Sequence, residues 1–210
     1  MQNSLVKRAV GKVQRMAQGL QPSEREFRKI WSQIAPIPGW LQDDQEKWLF
    51  KSARALPDGA NLVEIGSFKG RSTCCLGFGC KGSRKRIFAV DTFNGNDSDF
   101  HERDFFAEFW RNIESCGLSS YVGPVKGLSH EVAKKWKTPI DFLFIDGSHQ
   151  YDDVLADFDG FFPYVVPGGL IAFHDVDETW PEVLKAWHEV IKHKLVGTGY
   201  WSTIGYGRKP

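Results

Sequence analysis

No stretch of this chain approaches the roughly 20 consecutive apolar residues of a membrane-spanning helix. Its first positions also lack the unbroken apolar core of a secretion signal. Surplus charge is missing too: 27 basic and 26 acidic side chains leave a net charge of +1, so no global field calls for nucleic acid or an acidic polymer. Four cysteines are present, Cys74, Cys75, Cys80 and Cys116, with no C-x-x-C spacing, which argues against a zinc site and a disulfide scaffold. They read as reduced and buried, and the expected compartment is cytoplasmic. The G-x-G-x-x-G spacing of dinucleotide sites is absent as well. At 210 residues there is room for one α/β domain with an appendage, not for two full domains.

What is present centres on residues 61–72, Asn-Leu-Val-Glu-Ile-Gly-Ser-Phe-Lys-Gly-Arg-Ser. A short apolar run ends in an acid, a loop with two glycines follows, and small and apolar residues from Ser72 can open a helix. Strand, tight turn, helix is the expected order. Glycine lets a ligand lie against the backbone while the first helical turn presents unpaired N–H groups, so a carboxylate or phosphate suits the site. Ile87 to Asp91 is a second short apolar strand closed by an acid, and Asp91 is placed to accept hydrogen bonds from a ribose diol.

Upstream, residues 5–20 carry apolar positions at helical spacing with Lys7, Arg8, Lys12 and Arg15 between them, a basic amphipathic helix. It could dock on its own domain, on a second subunit or on an anionic membrane surface. Two prolines and a glycine in residues 31–41 mark a linker. This predicts a helical extension over 1–38 and one domain over 39–210. Asp43 with Glu46 reads as a capping box for a helix carrying Trp48, Leu49, Ala53 and Leu56. The helix from Ser72 is expected to stop among Gly77, Gly79 and Gly82. Beyond a polar stretch, Phe105, Phe106, Phe109, Trp110 and Ile113 recur at helical spacing, as core packing or as a wall of a substrate pocket. Val122 to Lys126 reads as a proline-weakened strand near an edge, Ser129 as a helix N-cap, Thr179 to Glu182 as a second capping box, and residues 194–207 as a terminal hairpin.

Two further strands carry chemistry at their exits. Asp141 to Ile145 runs out into Asp146 and His149, and Gly168 to Phe173 runs out into His174 and Asp175, with a helical face from Tyr151 to Phe162 between them. Parallel strands release these residues at one edge of the sheet, where open α/β folds bind ligands. Glu64, Asp91, Asp146, His149, His174 and Asp175 should therefore share a crevice. Asp146, His174 and Asp175 offer oxygen and nitrogen donors for Mg²⁺ or another divalent cation.

Three segments, Val63–Thr73, Phe144–Val154 and Pro167–Asp175, together resemble the class I S-adenosyl-L-methionine-dependent methyltransferases, in the group of macrocin-type and rhamnosyl O-methyltransferases, over roughly residues 39–191. The fold so implied is a doubly wound, Rossmann-like, mostly parallel sheet with a C-terminal antiparallel hairpin. The implied activity is O-methylation of a small-molecule hydroxyl, on a sugar or glycosylated natural product among the options. Glu64, Gly66, Ser67, Gly70, Ser72, Asp91, Ser129 and Asp146 would contact S-adenosylmethionine. In metal-dependent members the positions of Asp146, His174 and Asp175 hold Mg²⁺, and the histidine matching His149 acts as base. His174 stands where an acid is usual, which leaves the metal's identity and requirement open. Cephalosporin hydroxylase-like proteins share much of the pattern. An NAD-linked oxidoreductase, a hydroxylase-like enzyme and a non-catalytic cofactor-binding assembly protein stay open as alternatives, as does a homo-oligomer formed through the N-terminal helix.

Overall fold

The computed structural model describes residues 24–42, 44–94 and 104–210. Its seven strands are β1 (Asn61–Ile65), β2 (Arg86–Asp91), β3 (Val122–Lys126), β4 (Ile140–Ile145), β5 (Val165–Phe173), β6 (Val196–Trp201) and β7 (Ile204–Arg208). They form one sheet in the order β3-β2-β1-β4-β5-β7-β6. Neighbouring strands from β3 to β5 pair in parallel, and β7 enters antiparallel between β5 and β6. This is the expected doubly wound sheet with its terminal hairpin. Strand order reverses between β1 and β4, so the carboxyl ends of those two strands flank the crevice.

The helices are α1 (Glu24–Ile34), α2 (Gln45–Ala55), α3 (Arg71–Cys80), α4 (Phe106–Ser115), α5 (Ser129–Ala133), α6 (Tyr151–Phe161) and α7 (Pro181–Glu189). Successive strand residues face opposite sides of a sheet. Leu62, Phe142, Phe144, Leu170 and Ala172 accordingly pack with α1 to α4, and Val63, Leu143, Ile145, Ile171 and Phe173 with α5 to α7. Burial on both faces explains why these strands read as unbroken apolar runs. All four cysteines are free and buried. Val122 to Lys126 lies at the sheet edge, where Pro124 is tolerated.

Several expected boundaries are corrected. The helix α3 opens at Arg71 and runs through Gly77 and Gly79 to Cys80. A Cβ at Gly79 would lie 2.6 Å from both the Ala53 Cβ and the Phe50 carbonyl oxygen, and one at Gly77 would lie 2.8 Å from a Leu118 methyl. These two glycines serve close helix packing, and the helix ends between Gly79 and Gly82, inside the expected stretch. Likewise, the expected linker over 31–41 begins as helix, because α1 continues to Ile34 and stops just ahead of Pro36. Phe27 and Ile34 sit in the core.

Two predicted caps are not made, and a third lies outside the described residues. Asp43 lies outside the described residues, while Asp44 occupies the cap position of α2 with its carboxylate bonded to Lys47 Nζ at 2.7 Å and not to a helix N–H, and Glu46 pairs with Arg71 at 2.7 Å. Leu128, not Ser129, caps α5, and the Ser129 hydroxyl donates to Asp157. Trp180 precedes Pro181 at the start of α7, with no cap bond from Thr179. At Ser129 a charged tertiary partner replaces the local bond that the spacing suggested. The basic helix expected over residues 5–20 also lies outside the described residues. No helix among the described residues is long and apolar enough to cross a membrane.

Candidate active site

Register decides what meets at the carboxyl edge. Val90 pairs with Ile65, Ile65 with Ile145, and Ile145 with Phe173. The next residues along these strands, Asp91, Gly66, Asp146 and His174, must then form the following row. Main-chain bonds continue the ladder into that row, from Gly66 N to Val90 O at 3.0 Å, Asp146 N to Ile65 O at 2.8 Å and His174 N to Ile145 O at 3.0 Å. The anticipated convergence of the strand tips is therefore present.

On the β4 and β5 side, His174 Nδ1 lies 3.1 Å from Asp146 Oδ1 and 3.1 Å from Asp175 Oδ2. The other His174 nitrogen lies 3.1 Å from Gln45 Oε1. His149 Nε2 is 3.0 Å from Asp175 Oδ2, and its ring stacks on Trp180 with 3.7 Å between centroids. One ligand atom each of Asp146, His174 and Asp175 falls within 4.8 Å of the others, a donor set that fits a divalent cation. Burial works against charge on His174, but Asp146 and Asp175 outweigh it and hold its pKa up at about 10. Burial likewise opposes charge on Asp175, and hydrogen bonds from His149 and His174 bring its pKa down to about 2. Asp175 sits at φ +60°, a conformation that costs a non-glycine residue on the order of 1 kcal/mol and aims its carboxylate between the two imidazoles.

On the β1 side, Glu64 is fully buried, and its Oε2 accepts from the Ser67 hydroxyl at 2.8 Å and from Thr73 Oγ1. Its Oε1 is the buried side-chain polar atom left without a partner among the described residues. Burial lifts the Glu64 pKa to about 7 against hydrogen bonds from Thr73, Ser72 and Ser67. Asp91 clamps the glycine loop: Oδ2 accepts from Ser67 N at 2.6 Å and Phe68 N at 2.8 Å, and Oδ1 from Phe93 N at 2.6 Å. Gly66, at φ +82°, lies so close to β4 that a Cβ would stand 2.0 Å from the Asp146 carbonyl oxygen. Gly70, at φ +87°, occupies the cap position of α3, with Phe109 directly beside it. The two halves of the site thus share a wall.

Ser129 donates its hydroxyl to Asp157 of α6, whose other carboxylate oxygen lies 3.1 Å from where a Cβ on Gly147, the residue after Asp146, would stand. The aromatic run divides its roles: Phe109 and Ile113 are core, whereas Phe105 edges against Phe68 of the glycine loop at 4.9 Å. Trp40, largely exposed, packs at a tilt against Phe68 with 4.9 Å between ring centroids. Sequence reasoning missed Gln45, Thr73 and Trp180. Thr73 adjoins the recognised loop and could have been found there. Gln45 is 129 residues from its histidine partner, and no local pattern announces it.

A doubly wound sheet with an antiparallel strand β7, a glycine loop after β1 and acids at the tips of β2 and β4 define a Rossmann-like class I methyltransferase fold. The chain belongs to the methyltransferase domain family, whose pattern matches residues 63–176, more than half of its length. In sequence it is 46% identical over 139 residues to the uncharacterized protein R132 of Acanthamoeba polyphaga mimivirus, covering 64% of this chain and 60% of that protein. It spans only 16% of a longer relative, y4gI of Sinorhizobium fredii, 26% identical over 147 residues and 68% of this chain. Among solved structures, an O-methyltransferase from Bacillus cereus in complex with SAH superposes with a TM-score of 0.62 at 20% identity, over 93% of this chain and 96% of that one. CalS11, a TDP-rhamnose 3'-O-methyltransferase of calicheamicin biosynthesis, superposes with a TM-score of 0.60 at 17% identity, over 90% and 96%. At these identities the likeness is one of fold.

Proposed function

We propose that this methyltransferase domain moves the methyl group of S-adenosylmethionine to a hydroxyl of a small molecule, with His149 as general base and a divalent cation held by Asp146, His174 and Asp175. The observation that carries this reading is the His149 and Asp175 pair, which opens onto the same row of strand tips as the glycine loop. The orphaned Glu64 Oε1 supports the cofactor, because a buried acceptor beside a glycine loop suits the ammonium of its amino acid end. Gly66, Ser67, Gly70 and Ser72 would line that end. Asp91 already receives three main-chain N–H groups, and its fourth lone-pair direction remains for a ribose hydroxyl. Ser129 stays an outer candidate through its hydroxyl lone pairs.

A carboxylate only accepts, so the His149 proton sits on Nε2 toward Asp175, and Nδ1 offers its lone pair as the base. The acceptor O–H proton passes to Nδ1, the oxygen's pair forms the new C–O bond, and the C–S bond breaks with its pair left on sulfur. Trp180 fixes the plane of the imidazole, and Asp175 stabilises the imidazolium that results. A cation on Asp146, His174 and Asp175 would supply positive charge that favours the ionised form of the acceptor. Trp40, and Phe68 in part, offer aromatic surface suited to a sugar or a planar ring. The rhamnose named for CalS11 is consistent with the former.

The test is release of S-adenosylhomocysteine on incubation with nucleotide-linked sugars, glycosides and catechols in turn. Turnover with one class is expected, falling about 10²- to 10⁴-fold in His149→Ala while calorimetric affinity for S-adenosylmethionine is kept. Unchanged turnover in that variant, or preferential binding of NAD, would overturn the reading.

A further inference from the structure

Gln45 is wholly buried, although its amide carries both donors and acceptors. Its orientation is settled by its neighbours. The Gln42 main-chain N–H can only donate, and it meets Gln45 Oε1 at 2.7 Å. On the other side, Gln45 Nε2 donates to Thr203 Oγ1 at 2.8 Å, in the turn between β6 and β7. The amide oxygen is thus the atom that faces His174 Nε2 at 3.1 Å. An amide oxygen accepts and never donates, so His174 must carry a proton on Nε2. Nδ1, lying 3.1 Å from both Asp146 and Asp175, donates to them in the metal-free ring, and it is the nitrogen that can give up its proton to a cation because Nε2–H is engaged by Gln45. Without Gln45 nothing would hold the Nε2 proton, and the ring would lose it in preference to the Nδ1–H that donates to two carboxylates, which would close Nδ1 to any cation.

We infer that Gln45 is a positioning residue: it holds His174 in the Nε2–H form, so that Asp146, His174 and Asp175 become a mixed nitrogen and oxygen donor set that prefers Mn²⁺ or another imidazole-accepting dication to Mg²⁺. The cation part rests on the proposed function; the assignment of the ring proton does not. Hard Mg²⁺ favours oxygen, whereas Mn²⁺, Fe²⁺, Co²⁺ and Zn²⁺ take imidazole readily. Hydrogen-bond partners of this outer kind typically contribute 10- to 100-fold in metal affinity. Gln45 opens α2 and reaches Thr203 near the end of the chain, so two remote segments fix one ring.

The experiment is calorimetric titration of the full chain with Mn²⁺ and with Mg²⁺, on wild type, Gln45→Leu and Gln45→Glu, with ¹⁵N NMR of the His174 ring in the metal-free protein. Wild type should bind Mn²⁺ more tightly than Mg²⁺. Gln45→Leu should lose about 10- to 100-fold in Mn²⁺ affinity and much less for Mg²⁺. Gln45→Glu keeps an acceptor at this position and should retain Mn²⁺ binding. Folded Gln45→Leu with wild-type Mn²⁺ affinity would overturn the inference, and so would a neutral ring with its proton on Nδ1. If Gln45→Leu does not fold, Gln45→Glu and the ring-nitrogen shifts decide. If wild type binds neither ion, the metal part of the proposed function fails, and the NMR assignment alone supports or overturns the role of Gln45.

Discussion

At Glu64 the native state holds a proton that the unfolded chain has already lost. Its pKa rises from an ordinary 4.5 to about 7, so its contribution to stability falls as pH climbs through that window and levels off above it. The shift corresponds to about 3 kcal/mol. Urea denaturation at pH 5 and pH 8 should show this decline in wild type and a smaller one in Glu64→Gln. A cationic amine arriving at Oε1 would displace the proton, so S-adenosylmethionine binding near pH 6 should release protons, detectable as buffer-dependent binding enthalpy. His174 has the opposite chemistry and the same direction. Its folded pKa of about 10 lies above the ordinary 6.5, so its stabilisation is complete below 6.5 and is lost as pH rises through 10. Asp175, held near 2, stabilises above 3.8 and stops doing so as pH falls through 2.

Within the elements, glycines divide by what surrounds them. Gly79 in α3 has no room for a methyl group, since Ala53 and the Phe50 carbonyl lie 2.6 Å from where it would stand. Gly79→Ala should lower stability by about 1 to 3 kcal/mol by overpacking, despite alanine's advantage of about 1 kcal/mol in helix propensity. Denaturant midpoints measure the net effect. Gly82 has open space but φ +81°, so an alanine there meets backbone strain and no clash. Sequence pattern placed the strands because two-sided burial makes them apolar throughout. It placed the end of α3 within the stretch from Gly77 to Gly82, but not which glycine packs inside the helix and which follows it, because the two are the same letter.

Across the whole molecule, Arg71 joins the segment before the sheet to the site. Its guanidinium pairs with Glu46 through bonds of 2.7 and 3.1 Å, donates to the Ile37 carbonyl at 2.9 Å, and lies over Trp31. Arg71→Ala would leave the Glu46 carboxylate buried and unpaired. A loss of about 3 kcal/mol is expected, together with faster proteolysis of the segment carrying α1. An equal rate of cleavage would argue that Phe27 and Ile34 alone anchor that helix. Because Arg71 opens α3 directly behind the glycine loop, the same change should also weaken cofactor binding, which equilibrium titration checks.

The sequence by itself determined the sheet, its winding and most of the residues at its carboxyl edge. Short apolar runs ending in Glu64, Asp91, Asp146 and His174 carry that information locally, since strand period and exit chemistry are properties of neighbouring letters. Tertiary structure alone decided which nitrogen of His174 faces the acids, that His149 rests on Trp180, and that Asp91 holds the glycine loop. Those facts depend on side chains brought together from distant parts of the chain, and the geometry of a hydrogen bond has no trace in the spacing of the residues that make it.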